Sequence, residues 1–114
     1  MNLCHVTIRT EAFEQEICFY QTYADLKIER DLRPAGKDIV FLSDGGAQIE
    51  IIEMKGAENA GNENLSIGFH AEDLDEIHSR LLKDGFEPGE FISPMPQVRF
   101  FFVKDPAGVT VQFI

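Results

Sequence analysis

The stretch Leu3-Cys4-His5-Val6-Thr7-Ile8-Arg9 decides how the rest of the chain is read. Alternate residues of a strand point to opposite faces. Cys4, Val6 and Ile8 therefore form an apolar stripe, and His5, Thr7 and Arg9 a polar one. Three later stretches repeat the pattern. Gln48-Ile49-Glu50-Ile51-Ile52 puts Gln48 and Glu50 on one face. Leu65-Ser66-Ile67-Gly68-Phe69-His70 puts Ser66, Gly68 and His70 opposite Leu65, Ile67 and Phe69. Val109-Thr110-Val111-Gln112-Phe113 puts Thr110 and Gln112 opposite three apolar residues. Four strands of this kind predict a sheet with helices on one side and a polar, lined cup on the other.

The segments between these strands complete the pattern. Phe13, Ile17, Tyr20 and Ala24 recur at helical spacing and predict an amphipathic helix over 12–24. Strands are expected at 26–31, 38–42 and 48–54, with turns at Pro34-Ala35-Gly36 and Ser43-Asp44-Gly45-Gly46. The polar run KGAENAGNEN at 55–64 reads as a linker. The pattern then restarts with a strand at 65–70 and a helix carrying Leu74, Ile77, Leu81 and Leu82 on its buried stripe. Asp73 and Glu76 are its cap and capping-box partner, and Gly85 its terminator. A strand at 86–92, a Pro-broken loop at Ser93-Pro94-Met95-Pro96, and strands at 98–104 and 109–114 around the turn Asp105-Pro106-Ala107-Gly108 finish the chain. The second half thus repeats the first at about sixty residues, which predicts one α+β domain over 1–114. Two βαβββ modules, 1–54 and 65–114, would share a cupped eight-stranded mixed sheet with helices on its outer face.

Length and charge narrow the function classes. A chain of 114 residues is one domain by size. Its net charge of −10 argues against nucleic-acid and anionic-membrane partners. No apolar run reaches the roughly 20 residues of a membrane span, and the first residues lack a signal-peptide pattern. Cys4 and Cys18 are expected to be buried, reduced thiols, and a cytoplasmic location follows as the expectation.

The repeat pairs His5 with Ser66 and Glu50 with Gln112, all on the polar faces. With Leu3-Cys4-His5-Val6, Phe19-Tyr20, Ile49-Glu50-Ile51, Glu72-Asp73-Leu74-Asp75, Asp105-Pro106-Ala107-Gly108 and Val111-Gln112-Phe113 in this order, the chain resembles the vicinal oxygen chelate superfamily. That superfamily includes glyoxalase I, bleomycin-resistance proteins and extradiol dioxygenases. The resemblance implies a small-molecule ligand, a homodimer, and a divalent metal (nickel, zinc, manganese or iron) held at four positions. These fall here on His5, Glu50, Ser66 and Gln112.

His5 and Glu50 match the family's ligand types, Gln112 offers a carbonyl oxygen, and Ser66 is a poor ligand. An amide at 112 cannot act as the base that the family places there, which leaves Glu50 as the catalytic carboxylate. Thr7, Arg9, Ser66, His70 and Phe101 are the expected substrate-binding residues. Arg9 would hold a ligand carboxylate in a bidentate pair or else pair with one of the chain's own acids. His78 is expected at the surface. Two functions remain open. One is a metal-dependent lyase or isomerase of the glyoxalase type. The other is a metal-free protein of the bleomycin-resistance kind, sequestering a cationic or aromatic compound.

Overall fold

The computed structural model describes residues 1–58 and 64–114; the middle of the expected 55–64 linker lies outside the described residues. The chain forms two compact units, Met1–Ala60 and Gly61–Ile114. The first holds β1 (His5–Thr10), α1 (Phe13–Tyr23), β2 (Lys27–Asp31), a short 3-10 turn (Arg33–Ala35), β3 (Ile39–Ser43) and β4 (Gln48–Glu53). The second holds β5 (Ser66–Phe69), α2 (Leu74–Lys83), β6 (Ile92–Met95), β7 (Val98–Lys104) and β8 (Thr110–Phe113). Both are βαβββ modules, and each has its own four-stranded mixed sheet, ordered β1-β4-β3-β2 and β5-β8-β7-β6. In each sheet the first and last strands of the module pair in parallel and the remaining pairs are antiparallel.

The period-two patterning of the sequence becomes the core. In β4, Ile49 and Ile51 are buried while Gln48 and Glu50 are only partly buried; in β8, Val111 and Phe113 are buried and alternate with the partly buried Thr110 and Gln112. Burying these branched and aromatic side chains contributes about 1.5–3 kcal/mol each. Helix α1 packs on β3 and β4 through Phe13, Ile17, Phe19, Tyr20 and Tyr23. Glu16 is also buried on this face, in the first turn where a carboxylate suits the helix dipole. In α2 the Asp73 carboxylate accepts from the Glu76 backbone N–H at 3.0 Å, as the sequence predicts. The Glu76 carboxylate, however, turns to Arg80 at 3.3 Å. Gly85 follows the helix with φ +91°, a conformation that favours glycine. In the Asp105–Gly108 turn, Oδ1 of the buried Asp105 accepts from the N–H groups of Ala107 (2.9 Å) and Val109 (2.8 Å). This Asx-type geometry is why the turn requires an Asp followed by residues with free N–H groups.

Several expectations are corrected. Cys4 and Cys18 are exposed, not buried. Strand β1 begins one residue after Cys4, and Cys18 shares with Thr22 the helix face opposite the core, its Sγ 3.7 Å from the Thr22 hydroxyl. Leu82 is 56% exposed, leaving Leu81 as the fully buried leucine of α2. Residues 86–91 are irregular rather than a strand, and the expected loop at 93–96 overlaps β6. Pro94 is accommodated because β6 is the edge of its sheet, where a missing N–H leaves no ladder bond unmade. His78 is half-buried: its ring stacks on Phe91 at 4.6 Å and meets the edge of Phe101 at 4.9 Å, with Nε2 2.9 Å from the Gly89 carbonyl. Among the described residues no helix is long and apolar enough to cross a membrane.

Candidate functional site

The first unit's polar sheet face is built by register. Thr7 pairs with Glu50 across β1–β4, Glu50 with Phe41 across β4–β3, and Phe41 with Arg30 across β3–β2. Residues in register on neighbouring strands share a face, so Thr7, Glu50, Phe41 and Arg30 form one row. His5 stands two residues before Thr7 on the same stripe of β1. The Thr7 hydroxyl donates to Glu50 Oε1 at 2.6 Å, and His5 Nε2 lies 3.7 Å from the same oxygen. Glu50 is 15% exposed and His5 41%. On its other side the imidazole has Nδ1 3.4 Å from Cys4 Sγ, and its ring meets Phe41 edge-on at 6.0 Å. Arg9 extends the stripe by two more residues, exposed and without a hydrogen bond or ion pair to another described residue.

The second unit repeats this register with different chemistry. Gly68 pairs with Gln112, and Gln112 with Phe102; Ser66 pairs with Thr110, and Thr110 with Lys104. Gly68 thus stands to Gln112 as Thr7 stands to Glu50, and Ser66 to Gly68 as His5 to Thr7. Lacking a side chain, Gly68 leaves room for the Gln112 amide: a Cβ built there would lie 3.4 Å from Oε1. Beside this row is a cavity of about 390 Å³ lined by Asn64, Ser66, Glu87, Gly89, Phe102, Val103, Lys104 and Thr110. Gly89 closes one wall, its N–H donating to the Phe102 carbonyl at 2.8 Å.

Of the residues singled out from sequence, the structure brings His5, Thr7 and Glu50 together in the first unit and places Ser66 on the cavity of the second. His70 follows β5 directly and is exposed, away from the cavity lining. Phe101 is corrected. It is 0% exposed, packed in the core against Phe113 (5.6 Å), Phe91 (5.5 Å) and His78, and its neighbour Phe102 is the aromatic that lines the cavity. Sequence reading passed over Phe41, Arg30 and Lys104 as site residues. Their signal was cross-strand register, which needs the strand pairing to be known.

The donor set fits a divalent metal in part. Among the described residues no three His, Cys, Asp or Glu side chains converge. The His5–Glu50 pair nonetheless offers an imidazole and a carboxylate 3.7 Å apart, close enough for both to reach one ion at roughly 2.0–2.2 Å. In the second unit the corresponding residues, Ser66 and Gln112, carry a hydroxyl and an amide and neither an imidazole nor a carboxylate.

Two βαβββ units with this strand order define a class of α+β proteins. The sequence model described as Glyoxalase/Bleomycin resistance protein/Dioxygenase superfamily matches residues 2–113, and the chain belongs to that superfamily. No curated protein matches the chain. Among solved structures it is similar to a Bacillus cereus protein described as a possible glyoxalase (21% identity, 100% of this chain and 98% of that one, TM-score 0.74). It is also similar to the fosfomycin resistance protein FosX from Mesorhizobium loti (18%, 98% and 89%, TM-score 0.77). A third is lactoylglutathione lyase from Agrobacterium tumefaciens (17%, 98% and 91%, TM-score 0.70). At these identities the likeness establishes the fold.

Proposed function

We propose that the chain acts on a small oxygenated molecule at the His5–Glu50 pair, with Glu50 as the working carboxylate. His5 and Glu50 would hold a divalent cation (nickel, zinc, manganese or iron), which when bound supplies Lewis acidity toward two neighbouring substrate oxygens, and Gln112 is the proposed metal donor of the second unit. The observation that carries this reading is the convergence of the Thr7 hydroxyl and His5 Nε2 on one oxygen, Oε1, of a carboxylate only 15% exposed. Thr7 fixes the orientation of Oε1. The second oxygen, Oε2, is then directed for proton transfer between adjacent carbons of the substrate, a lyase or isomerase step of the glyoxalase type. Phe41 walls the pair on one side and turns the imidazole edge-on. Thr7 and Arg9 in the first unit, and Ser66 and His70 in the second, are proposed as substrate-binding residues, and the protein is proposed to work as a cytoplasmic homodimer.

The test is elemental analysis of protein purified without chelator, together with calorimetric titration by nickel, zinc and manganese. Near-stoichiometric metal that is lost in both His5→Ala and Glu50→Ala is the expected result. Unchanged metal affinity and activity in Glu50→Ala refute the reading.

A second reading is favoured by the cavity of the second unit, whose wall combines Phe102 with Glu87 and Lys104. A metal-free binding protein would use this space to hold an aromatic or cationic compound. Thermal shift in the presence of EDTA against such a panel tests it, and stabilisation that disappears in Phe102→Ala supports it.

A further inference from the structure

We propose that Arg30 is a specificity-determining residue that receives an oxyanion, a carboxylate or a phosphonate, carried by the ligand of the His5–Glu50 pair. The proposal rests on the reading of that pair as the ligand centre. Its origin is a break in the β2–β3 ladder. Ile28 pairs with Leu42 and Arg30 with Phe41, so Glu29 is an extra residue without a partner on β3. In an unbroken ladder Glu29 would oppose Phe41, and the row Thr7–Glu50–Phe41 would end on a second carboxylate. The bulge substitutes a guanidinium. Re-aiming a side chain in this way is what β-bulges do beside functional sites.

The charge environment makes the placement informative. The chain carries 20 acidic and 10 basic residues. Arg33, Arg80 and Arg99 each pair with a carboxylate. Arg30 pairs with no described residue; its contact is with the Phe41 ring, 5.8 Å from guanidinium carbon to ring centre. The same ring meets His5 edge-on, so one aromatic side chain spaces the cation from the imidazole. At 5.8 Å from the ring centre the guanidinium keeps its N–H edge available, and that planar fork matches the two oxygens of a carboxylate or phosphonate. Glu50 and Arg30 are two strand spacings apart, about 10 Å between backbones. A small ligand engaged at Glu50 can present an anion to Arg30 across that distance.

The test uses the full-length chain labelled with ¹⁵N and follows the arginine Nε–Hε resonances. The probes are acetate, methylphosphonate and the uncharged dimethyl methylphosphonate. The Arg30 resonance is expected to shift and saturate with one or both anions and to ignore the neutral ester; which anion binds tighter distinguishes carboxylate from phosphonate. Arg30→Gln should weaken anion binding at least ten-fold with an otherwise preserved spectrum, and Arg30→Lys should restore part of it. No Arg30 response, an equal response to the neutral ester, or full binding by Arg30→Gln overturns the proposal. Zinc titration of wild type and Arg30→Gln, read at the His5 ring, keeps the two readings apart. A zinc response retained in Arg30→Gln beside a lost anion response supports the assignment of Arg30. A silent His5 in both proteins removes the metal reading alone.

Discussion

Thr7 donates its hydroxyl to Glu50 Oε1 at 2.6 Å, from a strand that runs parallel to the one carrying the carboxylate. The bond joins the first and last strands of the module at a carboxylate that is only 15% exposed. Replacing Thr7 by Val keeps the shape and removes the donor. The expected cost is about 1 kcal/mol of stability, measured by urea denaturation. Under the metal reading, metal affinity should also fall roughly ten- to a hundred-fold by calorimetry, because an outer hydrogen bond would orient the carboxylate that holds the ion. A Thr7→Ser variant should retain most of both.

The second unit offers the converse experiment. Gly68 occupies the place of Thr7 and Gln112 that of Glu50. The backbone at Gly68 is not in the left-handed region, and a Cβ there meets only the flexible end of Gln112 at 3.4 Å. Gly68→Ala should therefore change stability by less than about 1 kcal/mol. The double variant Gly68→Thr with Gln112→Glu rebuilds the hydroxyl–carboxylate pair. Under the metal reading it should bind zinc more tightly than wild type; calorimetry that shows no gain argues that Gln112 contributes nothing to the metal.

How much of this was legible in the sequence follows from the range over which each signal acts. Alternation in β1, β4, β5 and β8 is local, so the polar stripe bearing His5, Thr7, Glu50 and Gln112 can be read directly. The sixty-residue repeat then supplies the module order. Arg30 could not be found this way, because a bulge shifts the period by one and is specified by pairing with β3. Phe101 was misplaced for a related reason. In Phe100-Phe101-Phe102 all three residues are apolar, so alternation does not say which one faces the helix. Pro94 signalled a loop because proline is excluded from interior strands, yet an edge strand tolerates it. Cys4 was put in the core by extending β1 one residue too far.

The acid limb of stability should depend on Asp75. The Arg99 guanidinium, hydrogen-bonded to it at 2.7 and 3.1 Å, holds its carboxyl below the ordinary value of 3.8. A carboxyl lowered in the folded state stabilises the fold at pH above its unfolded value, and that contribution is lost as pH falls through the folded value. Asp75→Asn should therefore flatten the dependence of the urea midpoint on pH below about 4. The effect should shrink with added salt, because the pair is exposed. Asp31, held down in the same sense by its hydrogen bonds from Arg33, acts in the same window and persists in this variant. Removing both carboxylates should flatten the curve further than removing either one.

The adjacent residues Phe101 and Phe102 separate stability from binding. Phe101 is fully buried among Phe91, Phe113 and His78, so Phe101→Ala opens a cavity in the core. The expected loss is about 3–5 kcal/mol, enough to bring the midpoint close to zero denaturant in a domain of this size. Phe102 is half-buried, lies on the cavity side and meets Phe100 edge-on at 5.6 Å. Truncating it should cost no more than about 1.5 kcal/mol, since part of its surface is already in water. If the second unit's cavity holds ligand, Phe102→Ala loses the thermal shift given by an aromatic compound, while Phe101→Leu, which keeps the core apolar and leaves a smaller void than alanine, keeps it. The reverse pattern, with binding lost in Phe101→Leu and kept in Phe102→Ala, would move the ligand off the cavity and onto the helix-facing side of β7.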